Sequence, residues 1–256
     1  MKNSPKISIV VATFNEAENL AGLIESVNNQ TYQNIEIMII DGDSADNTVE
    51  LLEQHDQQID YWISEPDNGI YDAWNKALAR VTGEYICFIG ADDRWYEPES
   101  LEKVVDLTGP RVELVCAKYE VFWPGHTTSL AFGNAWQWEK LRSGMDLSHR
   151  GMLHHRSLFE RHGTYDDSYQ IAGDYEFLLR CGPELKAVFL NEVTITAGPD
   201  GVSFREPYRS LKERYMAQRM HRTVSWAKSF YMFTYDNSHA QYHKAKSKIR
   251  RILSFW

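Results

Sequence analysis

Cysteine is scarce in this chain: Cys87, Cys116 and Cys181 lie far apart among 256 residues. No two of them have zinc-finger spacing, and Cys87 and Cys116 fall inside strand-like runs, so buried thiols in a reducing cytosol are expected. No apolar run approaches the roughly 20 residues that a bilayer span requires. Met1 to Lys6 is polar and leads straight into a strand, so no secretory leader is expected. The glycine-rich phosphate loops are missing too. Where a first strand-to-helix turn would carry G-x-G-x-x-G, the chain has Ala12-Thr13-Phe14-Asn15-Glu16, and no G-x-x-x-x-G-K occurs anywhere. These absences argue against a dinucleotide dehydrogenase and exclude a P-loop NTPase. Internal repeats and low-complexity segments are absent as well.

Positive charge is also short in most of the chain. Residues 1–200 hold 15 Lys and Arg against 33 Asp and Glu, whereas residues 201–256 hold 12 against 3, within an overall net charge of −9. An acidic body is a poor partner for nucleic acid. Its basic tail points to a polyanionic surface. A hydrophobic fraction of 43% and an aromatic fraction of 13% mark a folded chain.

The first hundred residues alternate strand and helix. Apolar runs at 6–13, 35–40, 61–64 and 85–91 read as strands. Between them, Leu20, Leu23, Ile24 and Val27 recur at helical spacing in a helix over 17–29, with Thr13 or Asn15 as its cap. Shorter helices are expected after 44–48, which can cap a helix carrying Val49, Leu51 and Leu52, and over about 71–79. That alternation predicts crossover units and a parallel sheet. Further on, a helix over 98–105, a strand over 112–119, a helix over 174–181 and a strand over 187–196 stand out, and a charged helix runs from 207 to 222.

Acidic residues cluster where the strands run out: Asp41, Asp67, and the pair Asp92-Asp93. Ligands of open α/β sheets collect at those strand ends. Carboxylates converging there repel unless a cation or a hydrogen-bonding ligand sits among them. A divalent metal with a phosphorylated sugar nucleotide meets that demand. Asp92-Asp93 suits the hard cation, and Asp41 can accept a hydrogen bond from a base N–H.

The runs PKISIVVATFNE, IMIIDGDSADNT, SEPDNGIYDAWNKAL and GEYICFIGADD resemble those of family 2 glycosyltransferases, and GMLHHRSLFERHGTYDDSYQIAGDYEFLLR is similar to the acceptor-side half of that family. The likeness covers about residues 5–205. It implies the A-type nucleotide-sugar transferase fold, a Rossmann-like α/β half with a mostly parallel central sheet, here followed by a helical tail. It implies a glycosyltransferase domain over 1–205, split into a nucleotide-sugar-binding half (1–95) and an acceptor half (96–205), and a basic helical extension over 206–256. By the same likeness, Asp92 and Asp93 bind Mg2+ or Mn2+ and the ribose–diphosphate. Asp41 meets the base, with Asp43 as a nearby substitute. Thr13, Phe14 and Glu16 contact base or ribose, and the loop Asp67-Asn68-Gly69 closes over the nucleotide. Asp174 is carried over as the general base of an inverting, hexosyltransferase-like reaction on a lipid-linked or saccharide acceptor, with Glu176 and Asp167 as alternatives. Two positions depart from the family pattern: Gly90 and Gly42 stand where many members have Asp.

Such enzymes serve polysaccharide biosynthesis for the cell envelope, so a cytoplasmic protein, peripheral at the inner membrane face, is expected. Residues 239–256 would meet an anionic membrane, or else pack on protein. Two other readings compete. A nucleotidyltransferase wants a glycine-rich basic loop after the first strand, which is missing; an inactive sugar-nucleotide-binding scaffold remains open because of Gly90. Bland roles are expected elsewhere. Asp46, Asp166 and Asp167 read as caps and turns, Lys76 as a phosphate contact or a solvated lysine, and Trp123, Trp136 and Trp138 as core before sugar platforms. Of His154 and His155, one is expected to pack and the other to line the acceptor cleft.

Overall fold

Alternation along the first strand sets the layers. In β1 (Ile7–Thr13), Ile7, Ile9 and Val11 turn to one face and Val10 to the other, as the two-residue repeat of a strand requires. Helix α1 (Ala17–Asn28) covers the first face with Leu20, Leu23, Ile24 and Val27. Strand β2 (Ile35–Asp41) divides in the same way, Ile37 and Ile39 on that face and Met38 and Ile40 on the other. Then come α2 (Thr48–Gln54), β3 (Tyr61–Ser64) and α3 (Ile70–Leu78), which brings Tyr71, Trp74 and Ala77 to the second face. The computed structural model describes residues 4–121, 128–198, 201–228, 230–231 and 234. Trp123 and the basic stretch 239–256 lie outside the described residues.

Strand β4 (Tyr85–Gly90) and the two-residue β5 (Arg94–Trp95) flank the acidic pair, and α4 (Ser100–Val105) follows. The rest of the chain comprises β6 (Leu114–Val121), β7 (Leu130–Phe132), α5 (Trp138–Leu141), β8 (Leu153–His155), α6 (Ser157–His162), α7 (Gly173–Cys181), β9 (Ala187–Ala197), α8 (Val202–Arg205) and α9 (Pro207–Met220). The sheet order is β3-β2-β1-β4-β8-β6-β9-β5, with β7 on β6. The first four strands are all parallel. Beyond them β8 runs antiparallel between β4 and β6, while β6 and β9 pair in parallel. The chain leaves β1 in one direction for β2 and β3, then places β4 on the other side of β1. That reversal opens a crevice at the carboxyl ends of β1 and β4, where residues 13–16 and 90–93 stand.

At the opposite end of the sheet Glu36 is a buried clasp. It accepts bonds from the Ser8 hydroxyl at 2.5 Å, the Thr82 N–H at 2.5 Å and the Gly83 N–H at 3.1 Å, and it pairs with Lys6 at 2.7 Å. Burial alone pushes its carboxyl up, but Lys6, Ser8 and Thr82 together pull it down to about 2. Neither Thr13 nor Asn15 caps helix α1; Asp46, in the loop after β2, accepts the Ala17 N–H at 3.2 Å through Oδ2 and the Thr48 N–H at 3.0 Å through Oδ1 where α2 begins. Helix α9 packs on α7 and buries Glu213, Ala217 and Gln218.

Candidate active site

The crevice continues as a cleft of about 910 Å³ lined from both halves of the chain. Glu16, Asp92, Asp93 and Asp174 all border it, together with Tyr71, His149, Arg150 and Gln170. Residues of the extension, among them Arg205, Ser210 and Arg214, form another part of the wall.

The acidic pair sits on a tight turn after β4. The Asp93 N–H donates to the Gly90 carbonyl at 3.1 Å, and the Gly90 N–H returns a bond to Asp93 Oδ2 at 2.8 Å. A side chain at 90 would crowd the pair: its Cβ would lie 2.8 Å from Asp92 Oδ1 and 3.0 Å from Asp93 Oδ2. The turn separates the two acids. Asp93 is 0% exposed, and its Oδ1 is held by the Arg150 guanidinium. Burial pushes the Asp93 carboxyl up to about 6, the Arg150 charge opposing and the Asp92 charge adding to the rise. The Asp92 side chain is 31% exposed, and its nearest described cation is Arg150 at 3.8 Å. Arg94 is turned away, donating to the carbonyls of Asn19, Ala91 and Asp93.

This donor set offers a divalent cation the part-exposed carboxylate of Asp92 first. Both Asp93 oxygens are already engaged, and among the described residues no cluster of three His, Cys, Asp or Glu side chains is arranged around a metal. One carboxylate plus ligand phosphates is a common arrangement for Mg2+.

Asp174 opens α7, where the local sequence supplies no side-chain cap. Its Oδ1 accepts the Tyr175 N–H at 2.8 Å and the Tyr71 hydroxyl at 3.3 Å. Burial raises its carboxyl to about 6 against those two bonds, the range in which a carboxylate works as a base near neutral pH. Gly173 makes the Tyr71 contact possible, since a Cβ there would fall 2.8 Å from the ring. The loop before α7 is pinned by α9: Glu213 Oε2 accepts the N–H groups of Gln170, Ile171 and Ala172 at 3.1, 2.8 and 3.0 Å. Gln170 in turn donates to the Asn68 carbonyl at 2.5 Å, and its side-chain oxygen lies 2.6 Å from where a Cβ of Gly69 would be. Gly69, at φ 117°, thus has both a backbone and a space requirement for glycine.

The other expected donor-side residues gather beside the cleft around Gly42. Its N–H bonds the Thr13 carbonyl at 3.0 Å, and a Cβ on it would meet Asp67 Oδ2 at 2.7 Å and the Phe14 ring at 3.4 Å. Phe14 is 61% exposed, while the buried Thr13 hydroxyl has no partner among the described residues. Burial raises the Asp67 carboxyl, though the Gly69 N–H and Lys76 pull the other way. Asp41 is fully buried and accepts from the Ser44 N–H at 3.0 Å, the Ser44 hydroxyl at 2.5 Å and the Ser64 hydroxyl at 2.6 Å. Its visible work is to shape the end of β2.

Two expectations change. Neither His154 nor His155 borders the cleft: His154 is buried among Phe88, Phe159 and Phe177, and His155 bonds Ser157. His149 takes that place, stacked on Trp74 at 5.1 Å, and burial pushes its imidazole down to about 3. Lys76 reaches Glu65 at 3.0 Å and the Pro66 carbonyl at 2.8 Å, so it braces its loop. Sequence reasoning missed Arg150, Tyr71, Gln170 and Glu213. One signal was available for Glu213: it is one of only three acids in the strongly basic stretch 201–256.

Comparison with known proteins agrees with this architecture. Residues 8–143 match the model of glycosyl transferase family 2. An uncharacterized glycosyltransferase of Mycobacterium tuberculosis (strain ATCC 25618 / H37Rv) is 30% identical over 219 residues, 81% of this chain and 80% of its own length. A PGL/p-HBAD biosynthesis glycosyltransferase of Mycobacterium bovis (strain BCG / Pasteur 1173P2) is 28% identical over 181 residues, 70% of each chain. Among solved structures, S. aureus TarS 1–349 in complex with UDP superposes with a TM-score of 0.67 at 15% identity, over 89% of this chain and 69% of that one. A longer TarS chain is matched over only 39% of its length. The mannosyltransferase PcManGT from Pyrobaculum calidifontis, in complex with GDP-Man and Mn2+, superposes with a TM-score of 0.65 at 16% identity, over 98% of this chain and 81% of its own.

Proposed function

The chain belongs to glycosyl transferase family 2, and we propose that it moves a sugar, with inversion, from a nucleotide-diphosphate donor to a hydroxyl of a lipid-linked or saccharide acceptor. The observation that carries this reading is one cleft bordered by the Asp92 turn from the first half and by Asp174 from the second. The donor lies over the carboxyl ends of β1 and β4, its base toward Thr13, Phe14 and Asp67, with Asp41 holding the loop that shapes this side. Gln170 ties the Asp67–Gly69 loop to the acceptor half, so donor and acceptor walls are positioned together.

Asp174 takes the proton of the attacking hydroxyl. Tyr71 and the Tyr175 N–H both hold Oδ1, which leaves Oδ2 to receive it. The acceptor oxygen bonds the anomeric carbon from the face opposite the diphosphate, and the bond to the β-phosphate oxygen breaks with its electron pair. Asp92 would hold Mg2+ or Mn2+, which when bound neutralises charge on the departing diphosphate. PcManGT, solved with GDP-Man and Mn2+, supports the cation, and TarS, solved with UDP, supports the donor class. The likeness to a PGL/p-HBAD biosynthesis enzyme supports a cell-envelope glycan or glycolipid product and work at a membrane face. No described helix is long and apolar enough to cross a bilayer.

Calorimetric titration with UDP, GDP and dTDP, with and without Mn2+, tests the donor half. One nucleotide is expected to bind, with metal enhancement lost in Asp92→Asn. Asp174→Asn should bind that nucleotide normally and lose transfer by at least a hundredfold. A protein that binds none of the three refutes the reading.

A further inference from the structure

We propose that Arg150 is a ligand for the donor's diphosphate, a fixed cation beside the metal position that lets the cleft take a nucleoside diphosphate without divalent metal. The inference rests on the donor reading above and assigns a residue that lies beyond the strand-end motifs. Arg150 borders the cleft with its side chain 26% exposed. Its contacts to Asp93 and Asp92 both run through Nη1. A guanidinium carries five N–H donors in a planar fork, so Nε and Nη2 remain for a second anion.

The anchor is rigid. Asp93 is fully buried and is itself fixed by the Gly90 N–H at 2.8 Å, while the Tyr119 ring lies 5.8 Å from the guanidinium carbon. A cation held in this way meets its ligand without first losing side-chain freedom. The turn carries no third acid: Gly90 stands there, and a Cβ at that position would crowd both carboxylates. Two carboxylates offset by one guanidinium leave a single net negative charge, which repels a diphosphate far less than three acids would. Arg94 is committed to backbone carbonyls and Lys76 to Glu65 and Pro66, while Arg205 and Arg214 stand on the wall of the cleft formed by the extension.

In the reaction, the electron pair of the breaking bond between anomeric carbon and oxygen passes to the diphosphate. The forked donors of Arg150 stabilise that growing charge. Asp92 brings metal to the same diphosphate, so two cationic supports act in parallel.

The test measures UDP and GDP affinity of the purified full chain in EDTA and in Mn2+, with inorganic pyrophosphate as a base-independent probe. Wild type should bind one nucleotide in EDTA, more weakly than in Mn2+. Arg150→Met should lower the EDTA affinity at least tenfold and keep the Mn2+ enhancement; Asp92→Asn should do the reverse. Because Arg150→Met strands a buried carboxylate, the paired variant Asp93→Asn/Arg150→Met is made alongside, its fold checked by circular dichroism. It should show the same loss in EDTA, for pyrophosphate as well. Wild-type affinity in EDTA for either Arg150 variant, or wild-type binding that strictly needs Mn2+, overturns the proposal while leaving the donor reading intact. A wild type that binds neither nucleotide in either condition overturns both.

Discussion

Asp174→Asn should make the protein more stable at neutral pH while stopping its chemistry. Burial raises the carboxyl from its ordinary 3.8 to about 6, a displacement worth about 3 kcal/mol. The folded state binds the proton more readily than the unfolded chain does. Asp174 therefore costs nothing below about pH 4, and its cost grows as pH rises through 6. Asparagine keeps the oxygen that accepts from Tyr71 and Tyr175 and removes the charge. At pH 8 the variant should gain up to about 3 kcal/mol, a ceiling because the carboxylate retains some access to the cleft. For a chain of this size that is roughly 6–12 °C in Tm. Urea unfolding of both proteins between pH 4 and 8 reads the difference directly. A gap that closes at pH 4 and opens toward pH 8 is the expected signature. A variant less stable at pH 8, or a gap independent of pH, refutes the argument that burial strains this carboxylate.

Three further outcomes are expected. Glu36→Gln should cost about 2 kcal/mol at pH 7 through loss of charged hydrogen bonds. Because the folded carboxyl is depressed to about 2, wild type should lose that advantage as pH falls from about 4.5 toward 2, followed by thermal melts across the range. Glu213→Ala removes the acceptor of three N–H groups, one of them buried, and one partner of the half-exposed Arg209; it should destabilise by about 1–3 kcal/mol and speed hydrogen exchange at 170–172. Gly173→Ala forces the Tyr71 ring aside at about 1–3 kcal/mol; with the Tyr71 bond gone, the acid limb of the pH–rate profile should move to higher pH.

The donor half was legible because its signals are local. Strands with both faces buried read as continuous apolar runs, and α1 declares itself by spacing, so the observed limits fall within a residue or so of those expected. The acids at the strand ends followed from topology. What stayed hidden depends on distant pairing. Strands β5, β7 and β8 have two or three residues each, too few for any period to show. The different environments of Asp92 and Asp93 could not be read from two adjacent identical letters; the separation comes from Arg150, 57 positions away. Glu213 looked like one charge on a charged helix, and its three partners lie more than 40 residues earlier.

The hold of Glu213 on residues 170–172 also fixes a timetable for a nascent chain. Domains form as synthesis proceeds, at about 5–20 residues per second. The four parallel strands that frame the crevice lie within the first 90 residues and can gather early on the ribosome, while Arg150, which holds Asp93, follows later. The loop before Asp174 stays unfastened until α9 has emerged. A half-made polypeptide can therefore hold the frame of the crevice while the loop before Asp174 still waits for α9.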